Sequence, residues 1–182
     1  MEFNKYKELG AYHWKEWEQN TIYGQHAEKV ASWINEPTVL DVGAGDGLIT
    51  HLLNKKGLNC IGIDDNELAV SLAREKNSSV LSGNAYMLPF IDNTFDVVLM
   101  ADVIEHFENP DTAIKEVKRV LKKGGYFYIT TPPRKATGLH DKYHYREYTD
   151  KELQEYVESL GFKLMEPIEN KYVRLYAKFQ KL

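Results

Sequence analysis

Val39-Leu40-Asp41-Val42-Gly43-Ala44-Gly45-Asp46-Gly47 is an apolar run that carries one acid, turns through three alternate glycines and opens onto an amphipathic stretch at Leu48. Without a Cβ, Gly43 and Gly45 let the backbone take strained dihedrals and approach a ligand closely. A turn that only reverses the chain at the surface rarely stacks three glycines directly behind a hydrophobic strand. The segment therefore reads as a buried strand, a ligand-cradling turn and the start of a helix.

Outward from this turn, short runs rich in Val, Ile and Leu alternate with longer amphipathic stretches, the rhythm of parallel strands crossing over through helices. Strands are expected at Thr38–Val42, Leu58–Ile63, Ser79–Ser82, Phe95–Met100 and Gly125–Thr131. Helices are expected at Gly24–Asn35, Gly47–Lys55, Glu67–Lys76, Pro110–Leu121 and Asp150–Leu160, the last two capped by Asn109 and Thr149. Lys122-Lys123-Gly124-Gly125 is expected to close the fourth of these, with cations at the negative helix end and glycine free to take a positive φ. At the tail, Gly161–Glu166 and Tyr172–Phe179 read as a strand pair joined by a polar link with Pro167, Glu169 and Asn170. The fold class is α/β: a doubly wound domain with a mostly parallel sheet, an antiparallel C-terminal strand and helices on both faces.

Composition bounds the rest. The 182 residues suffice for one domain, with no boundary in sight. Lys and Arg number 23 against 27 Asp and Glu, a net charge of -4, so no broad cationic face attracts a phosphate backbone and nucleic acid is not expected as a partner. Cys60 is the only cysteine, which excludes an internal disulfide framework and fits a reducing, cytoplasmic setting. The opening stretch mixes charges with aromatics, unlike a signal peptide, and no apolar run reaches membrane length.

The second strand ends at Asp64, about 20 residues past the turn, where a carboxylate can accept both hydroxyl hydrogens of a ribose. Its neighbour Asp65 either joins it or only caps the next helix. A nicotinamide-dinucleotide site would open the same way, but its fingerprint wants Gly or Ala where this chain has Leu48.

VLDVGAGDG, then GIDDN, then SGNAYMLPFIDNTFDVVLMADVIEHFENP resembles the class I S-adenosylmethionine-dependent methyltransferases of the ubiquinone/menaquinone-biosynthesis type, over roughly residues 24 to 165. The resemblance implies a Rossmann-like sheet of seven strands. It also implies a small-molecule methylation in which S-adenosylmethionine leaves as S-adenosylhomocysteine. Carried over, the turn residues Asp41, Gly43, Ala44, Gly45 and Gly47 meet the methionine part, Asp64 with Asp65 holds the ribose, and Asn84 and Ala85 meet the adenine. Relatives often have Asp where Asn84 stands; an amide can still bond the adenine edge. Ala101, past the fourth strand, is implied to lie against the cofactor through its backbone.

Methyl transfer from a sulfonium is an in-line displacement with a good leaving group, so alignment and exclusion of water supply much of the acceleration. A base matters when the acceptor is a hydroxyl. His106, after the fourth strand, is the first candidate, set against the reading of a capping or packing histidine; His144 is the second. Asp102, Glu105 and His106 also resemble an acid-x-x-acid-His arrangement that some O-methyltransferases use for a divalent cation, and in a helical turn they would share a face.

The loop Pro132–Thr149 is long for a connection and reads as an acceptor-site loop. Arg134, Lys135, Lys142 and Arg146 make it basic, and Tyr143, Tyr145, His140 and His144 add aromatic and titratable surface, so an anionic or aromatic acceptor is expected if the loop is more than solvated. Residues 1–23 bring Tyr12, Trp14 and Trp17; they either fold over the site as a lid or pack as helices onto the body. The Asn/Asp-Pro-Pro-aromatic sequence of nitrogen methylators is absent, since Met100-Ala101-Asp102-Val103 stands there, and one cysteine cannot serve arsenic methylation. A small-molecule O-methyltransferase is thus the first reading. A noncatalytic cofactor-binding sensor or regulatory subunit is the second.

Overall fold

The structure is a computed structural model that describes residues 5–135 and 141–182. The chain divides into two compact units, Met1–Ala85 and Tyr86–Leu182.

The first unit opens with two short helices, α1 (Lys5–Leu9) and α2 (Tyr12–Glu18), then α3 (Ile22–Trp33). The last starts two residues earlier than the periodicity suggests, because Thr21 accepts the Gly24 N–H and caps it. β1 (Thr38–Val42), α4 (Leu48–Lys55), β2 (Asn59–Asp64), α5 (Glu67–Glu75) and β3 (Val80–Ser82) follow. β2 lies between its partners, parallel to β1 from Thr38↔Asn59 to Val42↔Ile63 and parallel to β3 from Gly62↔Val80 to Asp64↔Ser82. Val39, Leu40 and Val42 are fully buried, the both-faces burial of a parallel strand. Each such side chain contributes roughly 1.5–3 kcal/mol of burial.

The second unit holds β4 (Phe95–Ala101), a 3-10 turn at Ile104–His106, α6 (Pro110–Val120), β5 (Leu121–Thr131), α7 (Asp150–Ser159), β6 (Phe162–Leu164), β7 (Glu169–Lys171) and β8 (Arg174–Lys181). β4 and β5 are parallel, β5 and β8 antiparallel. The caps expected at Asn109 and Thr149 are present, the latter as a reciprocal capping box with Glu152. The α/β class, the parallel crossovers and the antiparallel C-terminal strand are as expected. No helix among the described residues is long and apolar enough to cross a membrane.

Two expectations are corrected. Lys122-Lys123-Gly124-Gly125 does not close a helix: α6 stops at Val120, Leu121 already pairs with Phe95, and pairing resumes at Val97↔Tyr126. The intervening residues bulge out of the strand, with Gly124 at φ 72° and Lys122 paired to Asp96 at 2.8 Å.

The tail also differs, since β7 forms where a link was expected, making eight strands among the described residues. β6 and β7 line successive stretches of β8, and the hairpin turn is Tyr172-Val173, both at positive φ (50° and 59°). That is the backbone of a type I′ turn, normally filled by Asn or Gly. A tyrosine and a β-branched residue gave no sign of it.

Candidate active site

The glycine turn is fastened to the end of β2. Gly43 and Ala44 both donate to the Ile63 carbonyl, at 2.8 and 3.1 Å, and Gly45 donates to Asp64 Oδ2 at 2.8 Å. Gly47 N–H bonds Ala44 O at 3.0 Å. The amides of Gly43, Ala44, Gly45 and Gly47 are thereby engaged within the protein, so the turn offers a ligand its contour more than its donors. Gly45 lies at φ 56°, and a Cβ on it would stand 2.2 Å from the Tyr6 hydroxyl. Gly47, at φ 77°, caps α4, and a Cβ there would strike Ser78, whose hydroxyl donates to Gly47 O. This glycine does the close-packing work, so Leu48 is free to be buried core.

Asp41 is buried and accepts the Thr50 hydroxyl at 2.8 Å, which ties β1 to α4. Loss of hydration pushes its carboxyl up to about 7. Asp64, at the tip of β2, is half-buried, and burial raises its carboxyl as well. Its Oδ2 accepts Gly45 N–H and its Oδ1 accepts Asn66 N–H at 2.9 Å, so the carboxylate is held in one orientation with lone pairs to spare. Asp65 is exposed and caps nothing, because Asn66 is the α5 cap. Asn84 is exposed and Ala85 half-buried, just past β3. Asp41, Gly43, Ala44, Gly45, Gly47, Asp64, Asp65, Asn84 and Ala85 all belong to the first unit.

Sequence reasoning missed how the first unit treats Asp46. This residue has no exposed surface, and its carboxylate takes the His13 backbone N–H at 3.1 Å and the His13 ring Nδ1 at 3.0 Å. The Trp14 indole donates to Asp46 O at 2.8 Å. The aromatics near the start of the chain were visible; their target, inside the glycine motif, was not.

In the second unit Ala101 ends β4 and is half-buried. Asp102 follows at φ 55°, paired with Arg174 Nε and 3.3 Å from the Thr130 hydroxyl. It stands outside the 3-10 turn, so Asp102, Glu105 and His106 do not form the shared helical face expected of them. His144 takes its place: Glu105, His106 and His144 offer ligating atoms that all lie within 4.8 Å of one another. Glu105 is buried, accepts the Thr131 hydroxyl at 2.8 Å, and has its carboxyl raised by burial and by Asp102. Its carbonyl accepts Tyr145 N–H at 2.8 Å, which draws the distant loop to the turn.

The two histidine rings meet edge to face, 4.9 Å apart. His106 Nδ1 lies 3.0 Å from the Tyr143 carbonyl; a carbonyl only accepts, so that nitrogen carries the proton and the lone pair of the neutral ring is on Nε2. Burial, with His144 adding to it, lowers the His106 pKa below the ordinary 6.5. His144 Nδ1 lies 2.8 Å from Glu147 Oε1, a contact that fixes its ring in the same way.

The loop's charges are largely engaged. Arg134 pairs with Glu152 at 2.8 Å, and Arg146 stacks over Tyr148 and Tyr156 at 4.8 and 5.5 Å. Lys135, Lys142 and Tyr145 are exposed, while His140 lies outside the described residues.

Residues 40–129 match the family model described as a methyltransferase domain. A probable S-adenosylmethionine-dependent methyltransferase of Mycolicibacterium smegmatis is 34% identical over 134 residues, 69% of this chain and 52% of that relative. The ubiquinone biosynthesis O-methyltransferase of Nitrosomonas europaea is 27% identical over 150 residues, 72% of this chain and 62% of its own. Among solved structures, the methyltransferase in complex with the Trm112 activator of Haloferax volcanii has a TM-score of 0.81 at 19% identity, covering 98% of this chain and 97% of that one. The chain belongs to the class I S-adenosylmethionine-dependent methyltransferases. It spans about half the length of the curated relatives it matches.

Proposed function

We propose that this chain transfers the methyl group of S-adenosylmethionine to a hydroxyl of a small molecule, with His106 as the base and His144 as its neighbour. In the first unit, the turn from Gly43 to Gly47 shapes the methionine end, Asp64 takes the ribose with Asp65 beside it, and Asn84 and Ala85 meet the adenine. Asp41 acts from behind by holding β1 against α4. S-adenosylmethionine would supply the methyl group on a sulfonium, with the neutral thioether of S-adenosylhomocysteine as leaving group, and His106 Nε2 would take the proton of the attacked hydroxyl. The observation that carries this reading is the proton on His106 Nδ1, dictated by the Tyr143 carbonyl, in a ring whose pKa burial has lowered. Such a ring is neutral and basic at pH 7.

The acceptor we infer is anionic or aromatic, a reading supported by the exposed Lys135, Lys142 and Tyr145. Release of S-adenosylhomocysteine across a panel of phenols, hydroxy acids and sugars tests both points. Bound cofactor without release on any acceptor would favour the noncatalytic sensor.

The cluster of Glu105, His106 and His144 supports a second reading, a divalent cation held by one carboxylate and two imidazoles. Their outer partners, Thr131, the Tyr143 carbonyl and Glu147, are of the kind that orient metal ligands. The two readings exclude each other at His106, because Nε2 cannot both bind a cation and take a proton. Activity retained in chelator discards the cation.

A further inference from the structure

We propose that His13 is a cofactor-contacting residue: its ring Nε2 accepts a hydrogen bond from the α-ammonium of S-adenosylmethionine, with Asp46 behind it as a positioning residue. The inference rests on the cofactor site proposed above and deepens it, adding a residue that the family match, which begins at residue 40, does not reach.

The two nitrogens of the ring have different surroundings. Nδ1 lies 3.0 Å from Asp46 Oδ1, and the His13 backbone N–H donates to Oδ2 of the same carboxylate at 3.1 Å. A carboxylate only accepts, so Nδ1 carries the proton and the neutral ring has its lone pair on Nε2. Nε2 has no hydrogen-bond partner among the described residues, and it is not buried. It is an acceptor open to a ligand.

Its place is the glycine turn. A Cβ on Gly45 would stand 3.7 Å from His13 Cε1, the ring carbon between the two nitrogens. The imidazole thus borders the turn at the residue whose missing side chain leaves room. The amides of Gly43, Ala44 and Gly45 are spent on Ile63 and Asp64. The acids beside the ring are Asp46, bonded to it, and Asp64, whose carboxyl it influences. What the protein offers here is lone pairs and negative charge, which suit a ligand's ammonium and not its carboxylate.

The ring is also held still. It is stacked on Tyr23 at 4.5 Å and lies 4.0 Å from the Tyr12 ring, while the neighbouring Trp14 indole donates to Asp46 O at 2.8 Å. A ring fixed from so many sides has little entropy left to lose on binding.

The test is calorimetry on two variants with three ligands. His13→Asn keeps an N–H one bond past Cγ for Asp46 and removes Nε2; His13→Gln places an amide oxygen where Nε2 stood. The ligands are S-adenosylmethionine, its decarboxylated form, which keeps the amine, and methylthioadenosine, which lacks the whole amino-acid end. For His13→Asn the expected result is about a tenfold loss of affinity for the first two and none for the third, the effect of removing one hydrogen bond to a charged group. His13→Gln should recover part of that loss. Unaltered methylthioadenosine binding doubles as the check that α2 is still folded. Equal losses for all three ligands would reduce His13 to packing and overturn the proposal. A loss for S-adenosylmethionine that vanishes with the decarboxylated form would assign Nε2 to the carboxylate and overturn it as well. If the unaltered protein binds none of the three, the cofactor site itself falls, and this proposal with it.

Discussion

The two units build their sites from different materials. In the first, the site is mostly backbone: a strand, a glycine turn and the tip of the next strand, bonded to one another within 26 residues from Val39 to Asp64. In the second, it is mostly side chain, drawn from β4's exit, a loop about 40 residues later and β8, where Arg174 reaches Asp102. Backbone sites tolerate change poorly at a few positions and are indifferent elsewhere. Side-chain sites can lose chemistry while keeping their shape.

The largest effect is expected from Gly45→Val. Residue 45 would have to hold a φ of 56° against the Tyr6 hydroxyl, a strain of about 1–3 kcal/mol before any ligand is considered, so cofactor affinity should fall by about 10²-fold. Calorimetry with S-adenosylmethionine reads it, and unaltered affinity would show that the turn is not the ligand's seat.

His106→Ala should lower kcat for a hydroxyl acceptor by roughly 10²-fold or more while leaving cofactor affinity alone. In the unaltered protein the sign follows from the lowered pKa. The neutral base accumulates above that pKa, so the rate climbs as pH rises through a midpoint below 6.5 and is flat by neutrality. A midpoint above 6.5, or none, would take His106 out of the proton's path.

Arg174→Ala should cost about 1.5–3 kcal/mol in urea unfolding, because it strips Asp102 of a charged partner in a half-buried position. A loss below 0.5 kcal/mol, on the order of an exposed pair, would mean that water already screens the bridge.

The smallest effect is a gain. Val173→Gly should stabilise the chain by about 1 kcal/mol, since Val173 is exposed and held in the left-handed region only by the hairpin. An unchanged melting temperature would imply that the turn opens in solution.

Most of the first unit's frame was legible because its signals are local. Val39 to Gly47 announces strand, turn and helix by residue type alone, and Asp64 is found by counting to the end of the next apolar run. Caps were equally plain: Asn109 and Thr149 sit where expected. Resemblance supplied the cofactor's identity. What failed did so where long-range pairing overruled local preference. Lys122 to Gly125 look like a helix end, yet Leu121 is captured by Phe95. Glu169 to Lys171 look like a link, yet β8 offers them an edge.

The sequence by itself determined the α/β rhythm, the glycine turn and the acid that follows it, because strand period, absent Cβ atoms and carboxylate placement act within one turn or one strand. Tertiary structure alone decided that Tyr6 meets Gly45, that His13 and Trp14 close on Asp46, and that His144 rather than Asp102 joins Glu105 and His106. Those contacts depend on where separate segments are carried through space. No periodicity records that, since it is set by packing and pairing between residues far apart in the chain.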